Sequence, residues 1–171
     1  MALLSGLTAT SPAQADEIFA GIGSQDIATP LAMDTGAEGA DFQIGYRGER
    51  MEGLSFIGKP SPYIFASINS AGDTSFAAAG LSWKIGDQLY VRPAIGVAIH
   101  DGPERAFAPD GSQTQLGSRV LFEPEISIGV RVSRMVDLEA SWAHLSHGRI
   151  FSRVQNPGID TIGVRLVVKL P

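Results

Sequence analysis

The sequence contains no cysteine, and only three of its 171 residues are histidine. Without cysteine, the chain cannot form a disulfide, use a thiolate nucleophile or build a zinc site on sulfur ligands. A zinc site built on His100, His144 and His147 would also need carboxylates, and the spacing of acidic residues around them supports none. We therefore expect no metal ion and no other cofactor.

Long apolar runs and basic blocks are also missing. No uninterrupted apolar stretch approaches the roughly 18 residues that a membrane-spanning helix needs, which excludes a helical span but leaves a membrane β-barrel open. The formal net charge is −5, and no segment is rich in lysine and arginine. Nothing in the charge pattern therefore points to nucleic acid as a partner.

The length predicts a single domain, which we place at residues 16–171. Residues 1–15 are read as a truncated signal-peptide remnant, because they contain a short apolar segment and Ala13-Gln14-Ala15 fits the small-x-small pattern of a cleavage site. No positively charged segment precedes it. Either the start of the signal lies outside this sequence or the match is chance.

What the sequence does contain is alternation. Clusters of glycine, proline, aspartate and serine separate segments in which apolar and polar residues alternate with period two, as in half-buried β-strands. The eight predicted strands cover residues 17–22, 41–47, 62–69, 75–85, 89–99, 120–132, 136–146 and 160–170. Eight consecutive strands predict an all-β fold, an eight-stranded antiparallel up-and-down barrel.

The two faces of the strands indicate which side of the barrel is inside. A soluble lipid-binding barrel would turn the apolar rows inward, whereas a transmembrane barrel turns them toward lipid. The polar rows mix both charges with small residues, so that Glu123 and Glu125 could pair with Arg131 or Arg165 in a narrow lumen. The apolar rows carry scarcely a charge, which favours a barrel in the bacterial outer membrane.

The aromatic residues Trp83, Tyr90 and Trp142 are expected in the belts that face the membrane interface, with contacts to acyl chains as the alternative.

The last two predicted strands bring three reactive side chains together. His144 and Ser146 continue the apolar row of residues 136–146, and Asp160 begins the apolar row of residues 160–170. If the two strands pair antiparallel about residue 152, His144 lies opposite Asp160, and Ser146 lies two residues further on the same face. A hydroxyl beside an imidazole that a carboxylate orients is the arrangement of serine hydrolases.

These residues also resemble a known family. His144-Leu145-Ser146 followed by Asn156-Pro157-Gly158-Ile159-Asp160 is similar to the His-x-Ser…Asn-x-Gly-Ile-Glu pattern of the outer-membrane lipid A 3-O-deacylase (PagL) family. The resemblance extends to residues 92–98 and to Leu121-Phe122-Glu123. Members of this family are eight-stranded barrels that hydrolyse the 3-position ester of lipid A with a Ser-His-Glu triad.

The resemblance implies a role for each matching residue. Ser146 would be the nucleophile, His144 the base and Asp160 the orienting acid. Asn156 and the backbone amides around Gly148 would stabilise the oxyanion. Phe122 would line the acyl site, with a place in the interfacial aromatic belt as the alternative. The implied partners are lipid A, or lipopolysaccharide, and the membrane.

The chain departs from the family pattern at two positions. Asp160 stands in place of glutamate, and His147 follows the serine where the family usually has asparagine. We expect His147 to be an exposed polar residue at the rim, with a second base or a metal ligand as alternatives. The rival function is a non-catalytic structural or adhesive outer-membrane barrel. The sequence leaves open the acyl-chain preference, any latency of the activity in the native membrane and whether two copies form a homodimer.

Overall fold

The computed structural model describes residues 15–25, 27–32, 39–102, 116–148 and 158–171. The predicted signal-peptide remnant lies almost wholly outside these residues. The strands of the described part are β1 (Glu17–Ser24), β2 (Asp41–Arg47), β3 (Ser61–Asn69), β4 (Phe76–Ser82, continued by Ile85–Gly86), β5 (Leu89–His100), β6 (Val120–Arg131), β7 (Val136–Leu145) and β8 (Ile159–Lys169). Their bounds agree closely with the eight alternating segments of the sequence.

The strands close into an antiparallel barrel. Each strand pairs with the next along the chain, and β1 also pairs with β8, where Glu17 lies opposite Lys169. β4 is interrupted at Trp83 and Lys84, but both of its parts pair with β5. The predicted fold, an eight-stranded up-and-down barrel, is confirmed. No helix among the described residues is long and apolar enough to cross a membrane.

The outer wall of the barrel is apolar. Most large apolar side chains of the alternating rows are exposed, including Ile18, Ile22, Phe42, Ile44, Ile64, Ile68, Leu89, Ile95, Val97, Ile99, Ile126, Ile128, Leu138, Ile162, Val164 and Leu166. Because these β-branched and aliphatic side chains form a continuous band around the wall, they face lipid rather than a core. The soluble alternative, with its apolar rows turned inward, is wrong.

Charged side chains grouped around Glu139 occupy part of the lumen, beside a buried apolar cluster that includes Phe19 and Phe65. The Glu139 carboxylate accepts hydrogen bonds from Arg47 (2.8 and 3.2 Å), from Arg92 Nε (3.0 Å) and from the Tyr90 hydroxyl (2.9 Å). Glu17 completes the group, 2.8 Å from Arg92 Nη2. A buried charge is tolerated when it is paired in this way, so the polar rows of the sequence form a packed ionic core.

A second interior pair joins Arg165 to Glu125. The guanidinium donates two hydrogen bonds to the carboxylate, at 2.6 and 2.7 Å. This is one of the two partners predicted for the acidic pair. The other, Arg131, lies at the end of β6 and binds Asp87 instead, because the strand leaves the lumen there. Glu123 accepts a hydrogen bond from the Tyr63 hydroxyl.

The sequence prediction for Tyr90 is wrong. This residue was expected in an interfacial belt, but its ring lies inside the barrel, 2% exposed. The residue opposite it on β6 is Gly129, where a Cβ would meet Tyr90 Cζ at 2.2 Å. The missing side chain leaves the space that the tyrosine ring fills.

The two ends of the barrel differ. The connections after β1, β3, β5 and β7 lie at one end, together with the last residues of β7 and the first of β8. The opposite end carries the short turn between β6 and β7 and a 3₁₀-helix, Glu52–Ile57, that the sequence did not predict. Outer-membrane barrels place their longer loops outside the cell, so the first end is the extracellular one.

Candidate active site

His144 and Asp160 meet across β7 and β8. They are directly opposed in the antiparallel ladder, as the sequence predicted, and His144 Nδ1 lies 2.5 Å from Asp160 Oδ1. A carboxylate can only accept, so the proton lies on Nδ1 and the lone pair on Nε2 is left free for another partner. His144 belongs to the outward row of β7, next to the half-buried Trp142.

Ser146 lies two residues beyond His144 on the same face and is held by the neighbouring strand. Its N–H donates to the Phe122 carbonyl at 3.1 Å, and its own carbonyl accepts the Phe122 N–H at 2.7 Å. This bridge continues the register in which Glu125 faces Ala143, so Pro124 lies opposite His144. The backbone of Ser146 is therefore fixed at the end of β7, and the loop begins at the next residue.

Asp160 is fully buried although its row faces outward. The next residue of that row, Ile162, is 46% exposed. The difference arises because residues 27–32, which follow β1, lie against Asp160. The Ile27 N–H donates to the Asp160 carbonyl at 3.2 Å, and the Thr29 hydroxyl donates to Asp160 Oδ2. No sequence pattern singles out Thr29, because its segment has no periodicity.

An apolar groove opens beside His144 on the outer wall. Its volume is about 160 Å³, and its lining includes Leu31, Pro124, Ile126, Trp142 and His144. Leu31 comes from the segment that covers Asp160, and the others come from β6 and β7. The groove therefore joins the imidazole to the lipid-facing surface, and Trp142 is part of its lining.

Gly158 brings the backbone close to the imidazole. It has a positive φ of 68°, and a Cβ at this position would lie 2.7 Å from His144 Cε1. Both features require glycine, because an L side chain is strained in this conformation and would collide with the ring.

The other predicted site residues are placed as follows. Gly148 is exposed, just past Ser146, with a φ of 57°. Asn156 lies outside the described residues. His147 was expected at an exposed rim, but it is fully buried.

Within the described ranges, no cluster of three histidine, aspartate or glutamate side chains could hold a metal ion. The reactive groups at this site are therefore the Ser146 hydroxyl, the His144 imidazole and the Asp160 carboxylate.

Comparisons with known proteins identify the family and the fold. The model of the lipid A 3-O-deacylase (PagL) family matches residues 39–169, a longer part of the chain than the motif resemblance covers. The crystal structure of the outer membrane enzyme PagL is similar with a TM-score of 0.63 at 15% identity, covering 90% of this chain and 99% of that chain. The crystal structure of Neisserial surface protein A (NspA) is similar with a TM-score of 0.51 at 12% identity, covering 94% and 100%.

No curated protein matches the sequence. At such low identity the structural similarities show the fold, whereas the family model matches most of the chain. The chain therefore belongs to the lipid A 3-O-deacylase (PagL) family and is a β-barrel of the bacterial outer membrane.

Proposed function

We propose that this protein is a serine esterase that hydrolyses the 3-O-linked acyl chain of lipid A, with Ser146 as nucleophile, His144 as base and Asp160 as orienting acid. The observation that carries the proposal is the 2.5 Å contact between His144 Nδ1 and Asp160 Oδ1, on the outward face two residues from Ser146. A barrel that served only as a scaffold would have no need of a paired imidazole and carboxylate on its lipid-facing side, where burying such groups costs free energy.

The proposed reaction uses each of these groups in turn. His144 Nε2 takes the proton of the Ser146 hydroxyl as the serine oxygen attacks the ester carbonyl carbon. Asp160 stabilises the imidazolium that forms. The tetrahedral intermediate collapses, and His144 returns the proton to the departing 3-hydroxyl of lipid A. Water, activated by the same imidazole, then releases the fatty acid and regenerates the serine.

The oxyanion needs donors that the triad does not supply. The backbone N–H groups around Gly148 are candidates because the left-handed turn there follows Ser146 directly. The side chain of Asn156 is the other candidate, on the motif resemblance alone. Each donor of this kind contributes about 10²- to 10³-fold to the rate in serine hydrolases.

Access of the substrate is explained by the position of the site. Lipid A occupies the outer leaflet, and the site lies at the barrel end that carries the longer loops. An acyl chain in that leaflet reaches the groove beside Trp142 laterally, without leaving the membrane. The ester carbonyl then stays at the level of the strand ends, where water is available for the second half of the reaction.

The direct test is mass spectrometry of lipid A from cells with and without the protein. We expect expression to convert lipid A to a species that lacks one 3-O-linked acyl chain, with the matching free fatty acid released. Lipid A of unchanged mass, with the folded barrel present in the outer membrane, would instead favour a structural or adhesive role.

Gly158 provides a prediction about the geometry of the site. Replacing it with alanine should lower the deacylation rate at least about 10-fold, because even a small displacement of a catalytic group is costly. The added Cβ would lie 2.7 Å from His144 Cε1 and would displace the imidazole ring. The rate of fatty acid release by the purified protein is the measurement.

Gly72→Ala is the matched control. Gly72 also has a left-handed φ, +86°, but nothing lies within 4 Å of its Cβ position. This variant bears the same backbone strain without the collision, so we expect wild-type activity. Equal activity of the two variants would show that the contact with His144 has no role.

A further inference from the structure

Residues 27–32 form a short turn built around the Thr29 side chain. The Thr29 N–H donates to the Ala32 carbonyl at 2.9 Å. In return, Thr29 Oγ1 accepts the N–H groups of Leu31 at 3.0 Å and Ala32 at 3.3 Å. Ala32 is buried, whereas Leu31 is 56% exposed and lines the groove. The turn therefore has one side fixed to the barrel and the other side open to the groove.

The hydrogen bonds of Thr29 determine the direction of its hydroxyl proton. A threonine hydroxyl has one proton and two lone pairs. Both acceptor positions are used by the amides of Leu31 and Ala32, and the proton is donated to Asp160 Oδ2. The backbone of the turn thus holds the hydroxyl in the orientation in which it donates a hydrogen bond to the carboxylate.

Each oxygen of Asp160 consequently has a different donor. Oδ1 faces His144 Nδ1, and Oδ2 faces Thr29. The carboxylate is fully buried and, within the described ranges, it has no lysine or arginine partner. A buried carboxylate stays ionised only if hydrogen bonds replace its lost hydration, and hydrogen bonds to a charged group are the strong ones.

We infer that Thr29 is a positioning residue of the proposed triad, which holds the Asp160 carboxylate in the rotamer that orients His144. This inference rests on the proposed function for its role in the reaction, but its geometry does not. Through the same turn, Thr29 also places Leu31 at the wall of the groove. Residues 27–32 therefore help to build the proposed catalytic site and do more than continue the chain after β1.

The test compares Thr29→Val, Thr29→Ser and Thr161→Val in purified, folded barrel. Valine keeps the shape of threonine and removes the hydroxyl, so we expect kcat to fall about 10- to 100-fold, the effect of one hydrogen bond to a charged group. Serine restores the donor and should recover most of that loss. We expect KM to change less than kcat, because the hydroxyl acts on His144 through Asp160 and does not touch the substrate.

Thr161→Val is the control because Thr161 adjoins Asp160 in β8 but faces the lumen, where its hydroxyl has no hydrogen-bond partner among the described residues. It should leave kcat unchanged. Migration on cold and heated gels checks that every variant is folded. The inference is overturned if Thr29→Val keeps the wild-type kcat, or if Thr29→Ser is as slow as Thr29→Val.

A second readout separates this inference from the proposed function. The rate at which a fluorophosphonate labels Ser146 reports the activation of the serine without any lipid substrate. If wild type labels but releases no acyl chain from lipid A, the substrate proposal fails while slower labelling of Thr29→Val still supports the inference. If wild type deacylates and Thr29→Val labels equally fast, the inference fails and the function stands.

Discussion

Replacing Ser146 with alanine will lower the kcat for release of fatty acid from lipid A by at least about 10³-fold, and by as much as about 10⁶-fold, the loss seen when the serine of a protease triad is removed. The alanine cannot form an acyl-enzyme, and what remains is water attack assisted by the oxyanion donors. The backbone of residue 146 stays bonded to Phe122, so the fold should not change. Fatty acid release by purified protein in detergent micelles, followed by mass spectrometry, is the measurement.

His144→Ala should cause a loss of the same size, and the double variant Ser146→Ala/His144→Ala should lose little more than either alone, because residues that act as a unit are not additive. Ser141→Ala is the control serine. It lies on the same strand, β7, with its side chain turned into the lumen, and it should retain wild-type activity. Additive losses at Ser146 and His144 would contradict a shared proton transfer.

Removing the carboxylate of Glu139 will destabilise the barrel by about 3–5 kcal/mol, the cost of leaving buried charges without their partner. Glu139→Ala deprives both Arg47 and Arg92 of a hydrogen-bonded carboxylate, and Glu17 alone then faces two guanidiniums. The free energy of unfolding, measured by urea titration of the protein in lipid vesicles, gives the size of the effect.

Glu52→Ala is the matched comparison for Glu139→Ala. Glu52 also forms an ion pair, with Lys59, but its side chain is 74% exposed. Exposed pairs contribute little to stability, so this variant should unfold like the wild type. A loss at Glu139 no larger than the loss at Glu52 would mean that the lumen charges are not what holds the barrel together.

Much of the fold follows from the alternation of side chains. Rows such as Ile126, Ile128 and Val130 against Glu125, Ser127 and Gly129 assign each residue to one face, and the near absence of charge in the apolar rows assigns that face to lipid. The interruption of β4 at Trp83 and the 3₁₀-helix at residues 52–57 could not be predicted, because neither produces a period in the sequence.

The site was predictable only in part. Parity places His144 and Asp160 on one face, and antiparallel pairing about residue 152 opposes them, so the sequence was enough to predict this pair. Thr29 reaches Asp160 from 131 positions away in sequence, through a segment with no pattern, and only the folded chain shows the contact. His147 was assigned to an exposed rim because it is polar, but the folded chain buries it fully.

The most direct test of the account is to locate the reactive serine. A fluorophosphonate that reacts with activated serines should modify the folded protein once, and peptide mapping should place the adduct on Ser146, with none in the Ser146→Ala or His144→Ala variants. A folded barrel that takes up no label, or that is labelled at another serine, would contradict the claim that residues 144, 146 and 160 form an esterase site on the outer wall.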